Sequence, residues 1–269
     1  MFVLDRRTGR VVIFDWSGEA VESFGGIGDG PRQFRWPEAL AVVGDSLFVA
    51  QAGGVKVFVR GAEGYEWDGQ LPIDVSPRSL CVDGDAMIVN AAREPVGTIR
   101  RYGPDGSEEI AFGGGYMFGS EGTRRALSQG LVACGGQPTM VAYGHQDLPI
   151  VEGFTGAGKP MWSVFLEDYV QGYWQEMGNS RGAPIPPMEV LSNVIISEAG
   201  YVLVSYDRQR RRGQVVARTY LLDARTGEGG LLEEDEDGRR ILAVGDTTYV
   251  TNVPGPYPRL QLWHMESER

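Results

Sequence analysis

Residues 38–69 read "EALAVVGDSLFVAQAGGVKVFVRGAEGYEWDG", and the spacing of their apolar residues decides the fold class. Three or four short alternating runs, rich in Val, Phe and Leu, are separated by Gly-Asp, Gly-Gly and Ala-Glu-Gly turns, the pattern of consecutive antiparallel strands. Immediately upstream, residues 24–37 read "FGGIGDGPRQFRWP", which looks like a phosphate-cradling loop. A dinucleotide fingerprint needs a third glycine where Pro31 stands and a helix after it. A P-loop needs Gly-Lys-Ser/Thr, and the only lysines, Lys56 and Lys159, do not stand in that motif. The glycine-rich stretch therefore reads as a connection between one antiparallel sheet and the next.

Outward from this stretch, one unit recurs: a turn, a short run with a central valine, a loop, and a second run ending near glycine. The central valines are Val3, Val49, Val89, Val141, Val204 and Val250, spaced like single propeller blades with insertions. The stretch "VVIFDWSGEAVESFGGIGDGPRQFRWPEALAVVGDSLFVAQ" at residues 11–51 resembles the NHL-type repeat of six-bladed, TolB-like β-propellers. It shows that repeat's Asp-x-x-Gly turn, a strand ending Phe-Gly, and a Gly-Pro-x-x-Phe loop before Pro37. The expected fold is all-β: one domain over residues 1–269, a six-bladed β-propeller of four-stranded antiparallel blades. The first copy supplies strands b, c and d and the last supplies a, b and c. Either both terminal blades are incomplete, or residues upstream of Met1 are missing. In the second case an exported or cell-envelope location is expected, otherwise a cytoplasmic one.

The chain has 269 residues and a formal charge of −11, which argues against nonspecific nucleic-acid binding by the whole molecule. No apolar run reaches the roughly 18 residues of a membrane span. Two cysteines are too few for a disulfide scaffold or a structural zinc site. Aligned on their closing turns, "SLCVDGD" and "GLVACGG" place Cys81 and Cys134 at opposite strand parity, so two free, buried thiols are expected.

Blade parity puts the b–c loops and blade-to-blade connections on one side, and the tight a–b and c–d turns on the other. The loop-rich side collects Arg6, Arg7, Arg32, Arg93, Arg124, Arg125, Arg181, Arg208, Arg210, Arg211 and Arg212, with Trp36, Tyr116, Phe118, Tyr173 and Trp174. "LEDYVQGYWQEMG" at residues 166–178 has the apolar spacing of one short helix, either a cover over exposed core or a lid on the channel mouth. Asp5, Gln51, Asn90, Tyr143, Tyr206 and Asn252 end the b strands as a polar ring, with His145 beside it.

In the gluconolactonase-like propellers, Glu, Asn and Asp side chains at comparable places hold a divalent cation; here the ring has one carboxylate. "GNSRG" at 178–182 matches a nucleophile elbow in form, but a predicted helix precedes it and "APIPP" follows. The expected function is binding of a partner protein or an anionic small ligand by the Arg- and aromatic-bearing face, with no cofactor and no metal. The alternative is a metal-dependent hydrolase or lyase with its site at the channel mouth.

Overall fold

Each of the six valine-centred runs lies in its own antiparallel sheet, and the fold is a six-bladed β-propeller, one sheet per blade. The computed structural model describes residues 1–90, 96–115, 119–121, 124, 127–166, 189–209, 215–244, 248–253 and 259–264. The chain divides into two compact units, Met1–Met117 and Phe118–Arg269, each carrying three blades.

In the first unit, blade one is β1 (Phe2–Asp5), β2 (Arg10–Phe14) and β3 (Ala20–Gly25). Blade two is β4 (Ala39–Val43), β5 (Ser46–Gln51), β6 (Gly54–Gly61) and β7 (Gly64–Leu71). Blade three is β8 (Ser79–Asp83), β9 (Ala86–Asn90), β10 (Val96–Tyr102) and β11 (Glu108–Gly114). Strand exchange at Gly44-Asp45 and Gly84-Asp85 takes two residues, because each glycine adopts a positive φ, 55° and 59°, that a side chain would oppose. Between blades one and two, Phe24, Phe34, Phe58 and Tyr65 form a buried aromatic cluster, with Phe24 and Phe58 centroids 5.0 Å apart. Burying each such ring is worth about 2–3 kcal/mol, so this cluster fixes how the two blades pack.

In the second unit, blade four is β12 (Gly130–Gly135), β13 (Met140–His145), β14 (Ile150–Thr155) and β15 (Pro160–Phe165). Blade five is β16 (Glu189–Ile196), β17 (Tyr201–Gln209), β18 (Val215–Asp223) and β19 (Gly229–Asp235). Blade six is β20 (Arg240–Val244), β21 (Thr248–Val253) and β22 (Arg259–His264). Alternation along β17 sends Val202, Val204 and Tyr206 into the core shared with blade four, and Tyr201 and Leu203 to the opposite face. Among the described residues both terminal blades have three strands, and the other four blades have four.

The helix expected at 166–178 falls outside the described residues beyond Leu166. Among the described residues, helical hydrogen bonds lie between β11 and β12, where the Arg124 N–H donates to the Ser120 carbonyl at 2.9 Å and the Ser128 N–H to the Arg124 carbonyl at 3.0 Å. No helix among the described residues is long and apolar enough to cross a membrane.

The expectation of free thiols is corrected: Cys81 and Cys134 are both disulfide-bonded. Opposite parity separates side chains only within one sheet, whereas these cysteines stand on β8 and β12, edge strands of different sheets. Denatured without reductant, the chain is expected to show no titratable thiol and an intact mass about 2 Da below its reduced form. Two reactive thiols per chain would refute the bond.

Candidate functional site

The glycine-rich connection between β3 and β4 has the opposite polarity to a phosphate cradle. An anion-binding loop leaves its N–H groups free and convergent. Here the N–H of Gly26 donates to the Gly9 carbonyl (2.6 Å), that of Gly28 to the Phe34 carbonyl (3.1 Å), and that of Gly30 to Gln33 Oε1 (3.1 Å). The carbonyls converge instead, on a cation. Buried Lys56 of β6 donates from Nζ to the carbonyls of Gly30 and Gln33 at 2.6 Å each, with that of Pro31 at 3.4 Å. Burial pulls the Lys56 ammonium below the ordinary lysine range, and the Asp29 charge opposes that shift. Gly25, at φ 103°, is needed for close approach: a Cβ there would stand 2.6 Å from the Gly9 carbonyl oxygen and 2.7 Å from the Phe34 ring.

This anchoring fixes a tryptophan outside the core. The Arg35 N–H donates to Gln51 Oε1 at 3.0 Å, the Ala52 N–H to the Arg35 carbonyl at 2.9 Å, and the Glu38 N–H to the Ala50 carbonyl at 2.9 Å. Between these clamps Trp36 is held at φ 53°, the one non-glycine residue with a positive φ among those described, with 75% of its surface exposed. A left-handed backbone at a bulky residue costs about 1–2 kcal/mol and persists only where its surroundings impose it. Ile27 of the same loop is 58% exposed. Of the arginines around the connection, Arg35 pairs with Asp29 (2.7 Å), Arg6 pairs with Glu38, and Arg32 lies over the Phe24 ring at 5.1 Å. Arg7 is exposed.

The expected ring of polar b-strand ends is mostly turned inward. Gln51 and Asn90 are buried; Gln51 anchors Arg35 as above, and Asn90 donates from Nδ2 to the Thr98 carbonyl at 3.2 Å. Two ring residues, Tyr143 and Tyr206, do meet His145, in the second unit. Tyr143 and His145 stack edge-on at 4.9 Å, and the Tyr206 hydroxyl donates to the carbonyls of His145 (3.3 Å) and Leu148 (3.1 Å). All three are buried; the Tyr143 hydroxyl donates to the Ser128 carbonyl (2.6 Å), and His145 Nε2 sits 3.1 Å from Glu152.

Asp5 is exposed but folded back on its own turn, accepting from the N–H groups of Arg7 and Thr8 and from the Thr8 hydroxyl. Those hydrogen bonds, the Thr8 hydroxyl first, hold its carboxyl below the ordinary aspartate range. Asn252 is half-buried on β21. Arg93, Trp174, Arg210, Arg211 and Arg212 lie outside the described residues, as does "GNSRG". Among the described residues no group of three or more His, Cys, Asp or Glu is placed to hold a metal ion. The element that sequence reasoning passed over is Lys56, which sits in the apolar alternation of β6 with no local mark of its partners.

No family model matches the chain, and no curated protein matches it in sequence. Among solved structures it is similar to the Cps50 (Swd1) β-propeller domain of Myceliophteria thermophila, with a TM-score of 0.56, 11% identity, and 98% of this chain and 78% of that one covered. Hsv2 of Kluyveromyces lactis matches with a TM-score of 0.51 at 11% identity, covering 98% and 81%. The computationally designed Ika8 protein matches with a TM-score of 0.51 at 15% identity, covering 98% and 67%. At these identities the likeness shows the fold alone, the β-propeller, and does not extend to the NHL-type or TolB-like family.

Proposed function

We propose that the chain is a binding propeller whose first unit recognises an acidic, partly apolar partner protein through the connection between β3 and β4. The observation that carries this reading is Trp36: a large apolar side chain held in solvent by a backbone conformation that works against stability. Strain of this kind is retained where it positions a residue for function, and tryptophan and arginine dominate the energetics of protein interfaces. Exposed Arg32 of the same loop supplies positive charge, within a chain that is acidic overall. A disulfide persists in oxidising compartments, and the partner would be met there. The inward-facing b-strand ends favour this reading over the metal-dependent hydrolase.

Trp36→Gly separates function from folding. Glycine relieves the left-handed backbone, so the variant is expected to be as stable as the parent or up to about 1 kcal/mol more stable. On an array of acidic peptides containing aromatic residues, the parent is expected to bind with an affinity that falls as salt rises, and Trp36→Gly to lose at least about tenfold. Unchanged peptide binding by a well-folded Trp36→Gly would remove this loop as the site.

A further inference from the structure

Blade five is apolar on both faces, and its second face, where Ser205, Ala217 and Thr219 are buried, is closed only in part. Val202, Val204 and Tyr206 pack into the core of the second unit, to which β20, β21 and β22 contribute no residue. On the other face, Tyr201, Leu203, Leu221 and Leu232 look across a cleft of about 830 Å³ to Ile241 and Tyr249 of blade six. A space of this size and lining matches those that enclose small organic molecules, typically about 300–1,000 Å³.

Its charged groups are of one sign. Glu198 and Glu233 line the cleft, and neither has a partner among the described residues. A smaller space of about 120 Å³ shares Glu233, Ile241 and Tyr249 with the cleft and adds Thr219, Thr251 and Trp263. The arginine lining it, Arg239, is occupied by Asp235 (2.9 Å) and Asp237 (3.2 Å), so it does not neutralise Glu233. Tyr249 and Trp263 stack with centroids 6.0 Å apart and planes 7° apart, and the Trp263 N–H donates to the Thr251 hydroxyl at 2.9 Å, which fixes the ring. Aromatic faces next to carboxylates attract cations and repel anions.

We infer that this cleft between blades five and six is a small-molecule site for an apolar ligand bearing one positively charged nitrogen. The apolar body lies against Leu203, Leu221 and Leu232, and the charged end faces Glu233 and the Tyr249 ring. The site is separate from the Trp36 loop and does not rest on the function proposed for it.

Two probes with the same apolar body and opposite charge test it: 2-(1-naphthyl)ethylamine and 1-naphthaleneacetate, titrated into the full chain by calorimetry. Attraction of the amine and repulsion of the acid are expected to separate their affinities by about tenfold in favour of the amine. Glu233→Gln is expected to bring the two within about threefold, and Leu232→Asn, at a side chain already half-exposed, to weaken both probes by similar factors. Trp36→Gly should bind the amine as the parent does. Absence of amine binding at millimolar concentration, equal affinity for the two probes, or a preference that survives Glu233→Gln combined with Glu198→Gln would each overturn the assignment.

Discussion

Glu189→Gln is expected to destabilise the second unit by about 3 kcal/mol in urea unfolding. The Glu189 side chain is 0% exposed at the start of β16; its Oε1 lies 3.3 Å from Arg218 Nη1 and 3.8 Å from Arg208 Nε. Arg218, itself 6% exposed, reaches Glu234 at 3.1 Å and lies over the Tyr220 ring at 5.6 Å. Glutamine keeps the shape and removes the charge, so the buried Arg218 guanidinium loses one of its carboxylate partners. Burying a charge without its partner costs more than the pair gains when intact, and for that reason the single substitution is severe. Glu189→Leu combined with Arg218→Met should recover more than half of the loss, because a well-packed apolar pair is close to neutral against an ion pair. A loss below about 1 kcal/mol for Glu189→Gln would mean that solvent reaches this cluster.

Period and parity made the architecture legible. Val49 and Val89 sit on the second strands of their blades because strand, turn and spacing repeat, and a repeat is a one-dimensional signal. Residues two apart on a strand share a face, so Gln51 stands on the face of Val49, Tyr143 on that of Val141 and Tyr206 on that of Val204; Ala50, Ala142 and Ser205 between them are buried too, so the burial comes from packing on both faces. A buried tyrosine has an apolar body and a hydroxyl that must find a partner, and both hydroxyls found backbone carbonyls. What the sequence could not carry were pairings between distant segments: Lys56 with the carbonyls of residues 30–33, and Glu189 with Arg218. Each depends on how separate strands are placed in space, which a local period does not encode.

Lys56→Met is expected to cost about 2–3 kcal/mol and to open the connection between β3 and β4 ahead of the rest of the first unit. Methionine keeps the length and apolar stem of lysine, and the surrounding Phe34 and Phe58 can pack against it. It cannot donate, so the carbonyls of Gly30 and Gln33, each now 2.6 Å from the ammonium, lose a charge-assisted hydrogen bond. Arginine is no substitute, because a planar guanidinium does not fit where a compact ammonium meets converging carbonyls. Amide exchange localises the effect: protection of Gly26, Gly28 and Phe34, whose N–H groups close the loop, should fall by roughly thirtyfold, the equivalent of about 2 kcal/mol. Amides of β5 and β6 outside the clamp should keep theirs. Equal protection in parent and variant would show that the aromatic cluster, not the lysine, holds the loop. The consequence for binding follows from geometry, since Lys56 is buried and can reach a partner only by holding the segment that presents Trp36. If exchange at the loop rises thirtyfold while acidic-peptide binding stays at the parent value, a pre-set Trp36 is not what recognition uses, and the strain at φ 53° belongs to packing alone.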